Sequence, residues 1–186
     1  MIGAGFAQAL GAAQAGDSDA FAALWRDTNP PLLRYLSVLD RAAAEDLAAE
    51  TWLNVVRGLR RFSGDELAWR AWVFTIARRR GVDHLRRKVR QPTTPLAWPD
   101  GGEAGGPSAD DTADVVLGRL DTRAALELVA TLPPLQAEVI VLRVVAGLPV
   151  DMVAAIVNRS AGAVRVAAHR GLRTLARVLA ESGVTL

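Results

Sequence analysis

Residues Val150 to Leu175 read VDMVAAIVNRSAGAVRVAAHRGLRTL, and the punctuation of this stretch decides the fold. Val150 to Val157 is long enough for a short apolar helix. Asn158-Arg159 supplies a turn, and the Ser160 hydroxyl stands where it can accept a hydrogen bond from the first amides of a new helix. Beyond it Val164, Ala168, Leu172, Leu175 and Leu179 recur at helical spacing, one core stripe on a helix that reaches about Ala180. Arg165, His169 and Arg173 lie on another flank. A short helix, a tight turn and an arginine-bearing helix make a helix-turn-helix, whose second helix is suited to the major groove.

Working outward, Pro134 opens a helix through Leu135, Val139, Leu142 and Val145, and Gly147 is a helix stop. A preceding helix runs from about Ala113 to Pro133. Upstream of that, Gln91 to Asp114 is punctuated by proline and glycine and has no apolar periodicity, so it reads as a flexible linker. Its charges are Asp100, Glu103, Asp110, Asp111 and Asp114, with no base. The chain thus divides into a module over 1–90, an acidic linker over 91–112 and a module over 113–186.

In the first module Asp17 or Ser18 caps a helix carrying Phe21, Leu24 and Trp25. Pro30 and Pro31 then open a second, with Leu32, Leu33, Tyr35 and Leu36. Asp40 caps a third helix, Arg41 to Arg61, with Ala44, Leu47, Thr51, Val55 and Leu59 near one face. Phe62-Ser63-Gly64-Asp65 breaks it, and a fourth helix follows from Glu66 to Val89. Four helices with short joints predict a bundle. The fold class is all-α, with two small helical domains.

Composition narrows the function. The 186 residues include no cysteine, which excludes disulfides and cysteine-based zinc sites. Met1 to Ala15 lacks the basic and apolar runs of a signal peptide, and no apolar stretch is long enough for membrane insertion, so a soluble cytoplasmic protein is expected. Lys88 is the one lysine among 22 basic residues. Arginine offers planar donors for phosphate and guanine, although a GC-rich coding sequence gives the same bias. No nucleophile with a nearby base, metal-ligand cluster or phosphate loop is present: Gly101-Gly102-Glu103-Ala104-Gly105-Gly106 lacks the Gly-Lys-Ser/Thr ending. Neither catalysis, cofactor nor metal is expected.

Three runs resemble region two of the extracytoplasmic-function sigma factors: Glu45 to Arg57, Trp69 to Arg78, and Asp83-His84-Leu85-Arg86-Arg87. Leu132-Pro133-Pro134, Val139 to Arg143, Gly147-Leu148 and Ser160 to Arg173 resemble region four, in the family's order and spacing. The resemblance implies a protein that binds core RNA polymerase, recognises and melts promoter DNA, and has an anti-sigma factor as partner. It also implies that Asp46, Glu50, Asn54 and Arg57 dock on the polymerase clamp helices. Taken without the family, that polar stripe is an ordinary solvated helix face. Three departures stand out: Ala49 replaces a usual Gln, Arg79 a common Asn, and Pro149-Val150 and Asp151-Met152 the frequent Ser and Glu.

Seven cations among residues 78–90, namely Arg78, Arg79, Arg80, Arg86, Arg87, Lys88 and Arg90, make a phosphate-attracting surface, although a solvated helix end, where cations favour the C-terminal dipole, has the same composition. The resemblance sets that helix against the minus-ten element, and the Phe62–Leu67 loop against a flipped minus-ten base that Ser63, Asp65 and Glu66 could read. Trp69 is a further minus-ten candidate, although an aromatic at this spacing more often packs in a core. For the minus-thirty-five element the candidates are Arg143, Ser160, Arg165, His169, Arg170 and Arg173. The acidic linker, by the same resemblance, enters the polymerase cleft where its charge imitates RNA. Two rivals remain: a helix-turn-helix regulator acting without core binding, and a sigma-like protein that has lost promoter activity.

Overall fold

The computed structural model describes residues 1–90 and 122–181; the expected linker and its five carboxylates lie outside the described residues. The described residues fall into two compact units, each all-helical. None of their helices is long and apolar enough to cross a membrane.

The first unit holds α1 (Phe6–Gln14), α2 (Ser18–Leu39) up to Leu36, α3 (Ala44–Gly58) and α4 (Glu66–Arg90). Asp17 caps α2, its Oδ1 accepting from the amides of Asp19 (2.9 Å) and Ala20 (3.0 Å). Contrary to the expected break, α2 runs through Pro30 and Pro31 as one helix. Proline's fixed φ suits a helix, and what it costs is amide hydrogen bonds. Burial outweighs that cost: Leu24, Thr28, Pro31, Leu32, Tyr35 and Leu36 form one continuous inward face across the proline pair. The bundle still has four helices, because α1, which the sequence reading did not foresee, takes the place of the split.

Asp40 caps the short 3-10 turn Arg41–Ala43 through the Ala42 amide (3.1 Å), and α3 follows. All five residues of the expected α3 stripe are buried, and α3 packs along α4. Tyr35 meets Phe74 edge-on, with centroids 5.4 Å apart. Gly58 permits a close approach at the end of α3, since a Cβ there would sit 2.7 Å from Trp72 Cζ2. Arg70 is buried and donates Nη2 to Asp27 Oδ2 at 2.8 Å, tying α4 to α2.

The second unit holds α5 (Thr122–Ala130), α6 (Pro134–Ile140), α7 (Val150–Val157) and α8 (Ala161–Glu181). The expected helix from Ala113 is described only from Thr122 onward. Past Ile140, α6 widens into a π-helical turn, Val141–Val145, with the Ala146 amide donating to Val141 O at 3.1 Å. Gly147, at φ +67°, then ends it. Asn158 closes α7 in the left-handed region at φ +55°, which asparagine tolerates, and the Arg159 amide donates back to Ala154 O at 3.0 Å. Ser160 Oγ accepts from the Ala163 amide at 3.1 Å and opens α8. The buried stripe of α8 uses Ala167 and Gly171 alongside Val164, Leu172, Leu175 and Leu179, where the sequence reading had Ala168. The reason is proximity: at Gly171 a Cβ would lie 2.5 Å from Ile140 Cδ1, so α6 and α8 meet where one lacks a side chain.

Candidate nucleic-acid and partner-binding surfaces

On α3, Asp46 and Arg57 are exposed while Glu50 and Asn54 are half-buried. Asn54 is held in place: Nδ2 donates to Glu50 O (2.6 Å) and Oδ1 accepts from Arg80 Nη2 (3.1 Å). Beside this stripe the sequence reading missed an apolar one. Leu53 is 57% and Val56 54% exposed, and exposed Ala49 precedes Leu53 by one turn. Helical spacing alone could have located that second stripe, because the true core stripe already occupied the opposite side of α3.

The basic end of α4 is less uniform than its sequence. Arg79, Arg86 and Arg90 are exposed and share one face, with exposed Arg87 beside them. Arg80 instead turns to Asn54, and Arg78 is half-buried. Lys88 Nζ donates to Asp40 Oδ2 at 2.8 Å, and His84 Nε2 lies 3.1 Å from the same oxygen. The hydrogen bond from Lys88, opposed by burial and aided by His84, holds the Asp40 carboxyl below the ordinary aspartate value. One carboxylate from the α2–α3 joint thus offsets part of the positive field and fastens α4 to it.

In the α3–α4 loop, Ser63, Gly64 and Asp65 are exposed, and Gly64 has φ +151°, a conformation that favours glycine. Asp65 Oδ1 accepts from the Ala68 amide at 2.8 Å, so this carboxylate caps α4. The Glu66 carboxylate accepts from the Ile2 and Gly3 amides at 2.6 and 2.9 Å. Trp69 requires a correction as a DNA-facing residue. It is 1% exposed, and its Nε1 donates to the buried Thr28 hydroxyl at 3.0 Å, so its ring faces the core rather than a base. Trp72 is half-buried and stacks on Phe62, with centroids 4.9 Å apart.

On α8, Arg165, Arg170 and Arg173 are exposed, as are Arg177 and the turn residue Arg159, and His169 is half-buried. Arg143 is also half-buried: its Nη1 donates to Leu148 O at 2.9 Å across the turn before α7.

Comparison with known proteins decides what these surfaces belong to. The family model Sigma-70 region 2 matches residues 24–91, and Sigma-70, region 4 matches residues 122–175. The ECF RNA polymerase sigma factor ShbA of Streptomyces griseus is 34% identical over 173 residues, covering 89% of this chain and 90% of that protein. The chain belongs to the extracytoplasmic-function sigma factors. The ECF RNA polymerase sigma factor BldN of Streptomyces coelicolor is also 34% identical, over 91% of this sigma factor, which spans only 64% of BldN's length. A solved structure of CnrH with the cytosolic domain of CnrY shares the fold, at TM-score 0.55 and 20% identity, covering 93% of this chain and 96% of that one.

Within this sigma factor, the region-two match covers most of the α1–α4 bundle, and the region-four match runs from the start of α5 into α8, ending at residue 175. Residues before 24 fall outside the matched span, and α1 is among them.

Proposed function

We propose that this chain binds core RNA polymerase through the outward face of α3 and directs it to promoters. One observation carries the reading: a region-two bundle whose α3 exposes Leu53 and Val56 within a polar border shares a chain with a helix-turn-helix whose second helix exposes arginines. Two large exposed apolar side chains, flanked along the helix by Asp46, Glu50, Asn54 and Arg57, have the composition of a protein-docking patch. A regulator that only bound DNA would need the second module alone.

Residues 1–90 serve polymerase binding and the minus-ten element, with Arg79, Arg86 and Arg87 toward phosphate and Ser63 toward the base. Residues 113–186 serve the minus-thirty-five element through Arg165, His169, Arg170 and Arg173. Asp65, Glu66, Arg80, Arg143 and Ser160 support these surfaces through the hydrogen bonds that fix the loop, the α3–α4 contact and the helix-turn-helix. The polymerase supplies the chemistry and this chain the address, in the cytoplasm, with an anti-sigma factor as the controlling partner.

The test is run-off transcription by the host's core polymerase with and without the chain, using wild type and Glu50→Arg. Wild type should yield a promoter-specific transcript; Glu50→Arg should lose both transcript and co-purification with core, while the second module still binds promoter DNA. A wild-type chain that binds promoter DNA but never joins core would leave a simple helix-turn-helix regulator.

A further inference from the structure

The α3–α4 loop is tied down from a part of the chain far away in sequence. Gln14, the last residue of α1, donates Nε2 to two main-chain carbonyls at the start of the loop, Leu59 O at 2.9 Å and Phe62 O at 2.7 Å. Leu59 opens the 3-10 turn Leu59–Arg61 and its carbonyl also accepts the Phe62 amide at 3.1 Å, whereas Phe62 caps that turn, where helical donors run out. At the far end, the Glu66 carboxylate takes the amides of Ile2 and Gly3. Phe6, at the start of α1, packs 6.4 Å from the Trp69 ring, which meets Phe62 edge-on at 5.5 Å. Between Phe62, which also stacks on Trp72, and Asp65, which caps α4, Gly64 adds backbone freedom.

We infer that the segment Ile2–Gln14 is a clamp that fixes the Phe62–Asp65 loop, and that Gln14 is a positioning residue for base selection at the minus-ten element. The second half rests on the proposed function, in which this loop meets the minus-ten base. A loop fixed before binding loses less entropy on capturing a base, and it rejects wrong bases because its polar groups cannot move to suit them. Released from Gln14, the loop adapts to several bases and discriminates less.

The full chain carrying Gln14→Leu keeps the packing volume and removes the donor. Gln14→Glu keeps the size and sets an acceptor against two carbonyl oxygens, so it must move both readouts in the same direction. The first readout is amide hydrogen exchange in the peptide Leu59–Trp69. The second is the ratio of transcription from two promoters that differ at one minus-ten base. Exchange in that peptide should quicken about tenfold, the factor for ~1.4 kcal/mol from two lost hydrogen bonds, with the second module unchanged. The promoter ratio should fall toward one while core binding holds. Unchanged exchange overturns the clamp, and faster exchange with an unchanged ratio overturns the role in base selection. If Ser63→Ala and Asp65→Ala leave the wild-type ratio untouched, the minus-ten reading of the loop fails and takes the base-selection role with it. The exchange result still decides the clamp by itself.

Discussion

Trp69→Phe separates packing from DNA contact, because the two roles predict opposite patterns of damage. The indole is 1% exposed and its Nε1 donates to Thr28 Oγ1 at 3.0 Å, with Thr28 itself 1% exposed. Phenylalanine removes that donor and deprives a buried hydroxyl of a partner, at about 1–3 kcal/mol. The smaller ring leaves a void of roughly 40 Å3, which at ~24 cal/mol per Å3 adds about 1 kcal/mol. The sum is about 2–4 kcal/mol, and in a domain of this size each kcal/mol lowers Tm by roughly 4–8 °C. Thermal unfolding of the full chain, followed by near-UV circular dichroism, should therefore show a drop of at least about 8 °C in the first unit. Adding Thr28→Val should cost less than the sum of the two single changes, by about 1 kcal/mol. Well below the transition, transcription from duplex and from pre-opened templates should fall equally or not at all. An unchanged Tm with a selective loss on duplex templates would refute the packing role and restore Trp69 as an agent of strand opening.

Three other outcomes follow from geometry. Arg165→Ala and Arg173→Ala should each cost about 1–3 kcal/mol at one base pair if they read a base, whereas a phosphate contact weakens all sequences alike and reduces the salt slope by about one; binding titrations against single-base variants at two salt concentrations distinguish these. Asp40 has a depressed pKa, so its stabilising contribution is present above the ordinary value of 3.8 and lost as pH falls through the folded value. The stability difference between wild type and Asp40→Asn, measured by urea unfolding, should be level above that value and shrink below it; a difference that grows in acid contradicts the Lys88 and His84 assignment. Gly171→Val sets a side chain where even a Cβ would come within 2.5 Å of Ile140 Cδ1 and 3.3 Å of Gln136 Cβ, so it should destabilise the second unit by about 1–3 kcal/mol. An unchanged unfolding midpoint would mean that α6 and α8 can move apart freely.

The helix-turn-helix was legible because its signals are local. The Ser160 hydroxyl reaches an amide three residues on, and the asparagine that closes α7 needs only its own backbone conformation. The α3 core stripe was legible for the same reason, since helical spacing places Leu47, Thr51 and Val55 on one side whatever they pack against. By contrast, Pro30 and Pro31 look like a boundary to any local rule, and only the apolar face that α2 buries across them keeps the helix intact. The segment Phe6–Gln14 has no side-chain cap and gives little local signal; burial of Phe6, Leu10 and Ala13 in the bundle makes it a helix.

The sequence by itself determined that the chain is helical, where most helices start and stop, and that arginine concentrates on α4 and α8, because capping, periodicity and charge act over a few residues. Only the tertiary structure decided which of those polar and aromatic groups are spent inside the fold. Trp69 goes to Thr28, Arg80 to Asn54 and Glu66 to the Ile2 amide, across separations of 41, 26 and 64 residues. A side chain's type states which bonds it can make, and the packing of distant helices states which partner reaches it first.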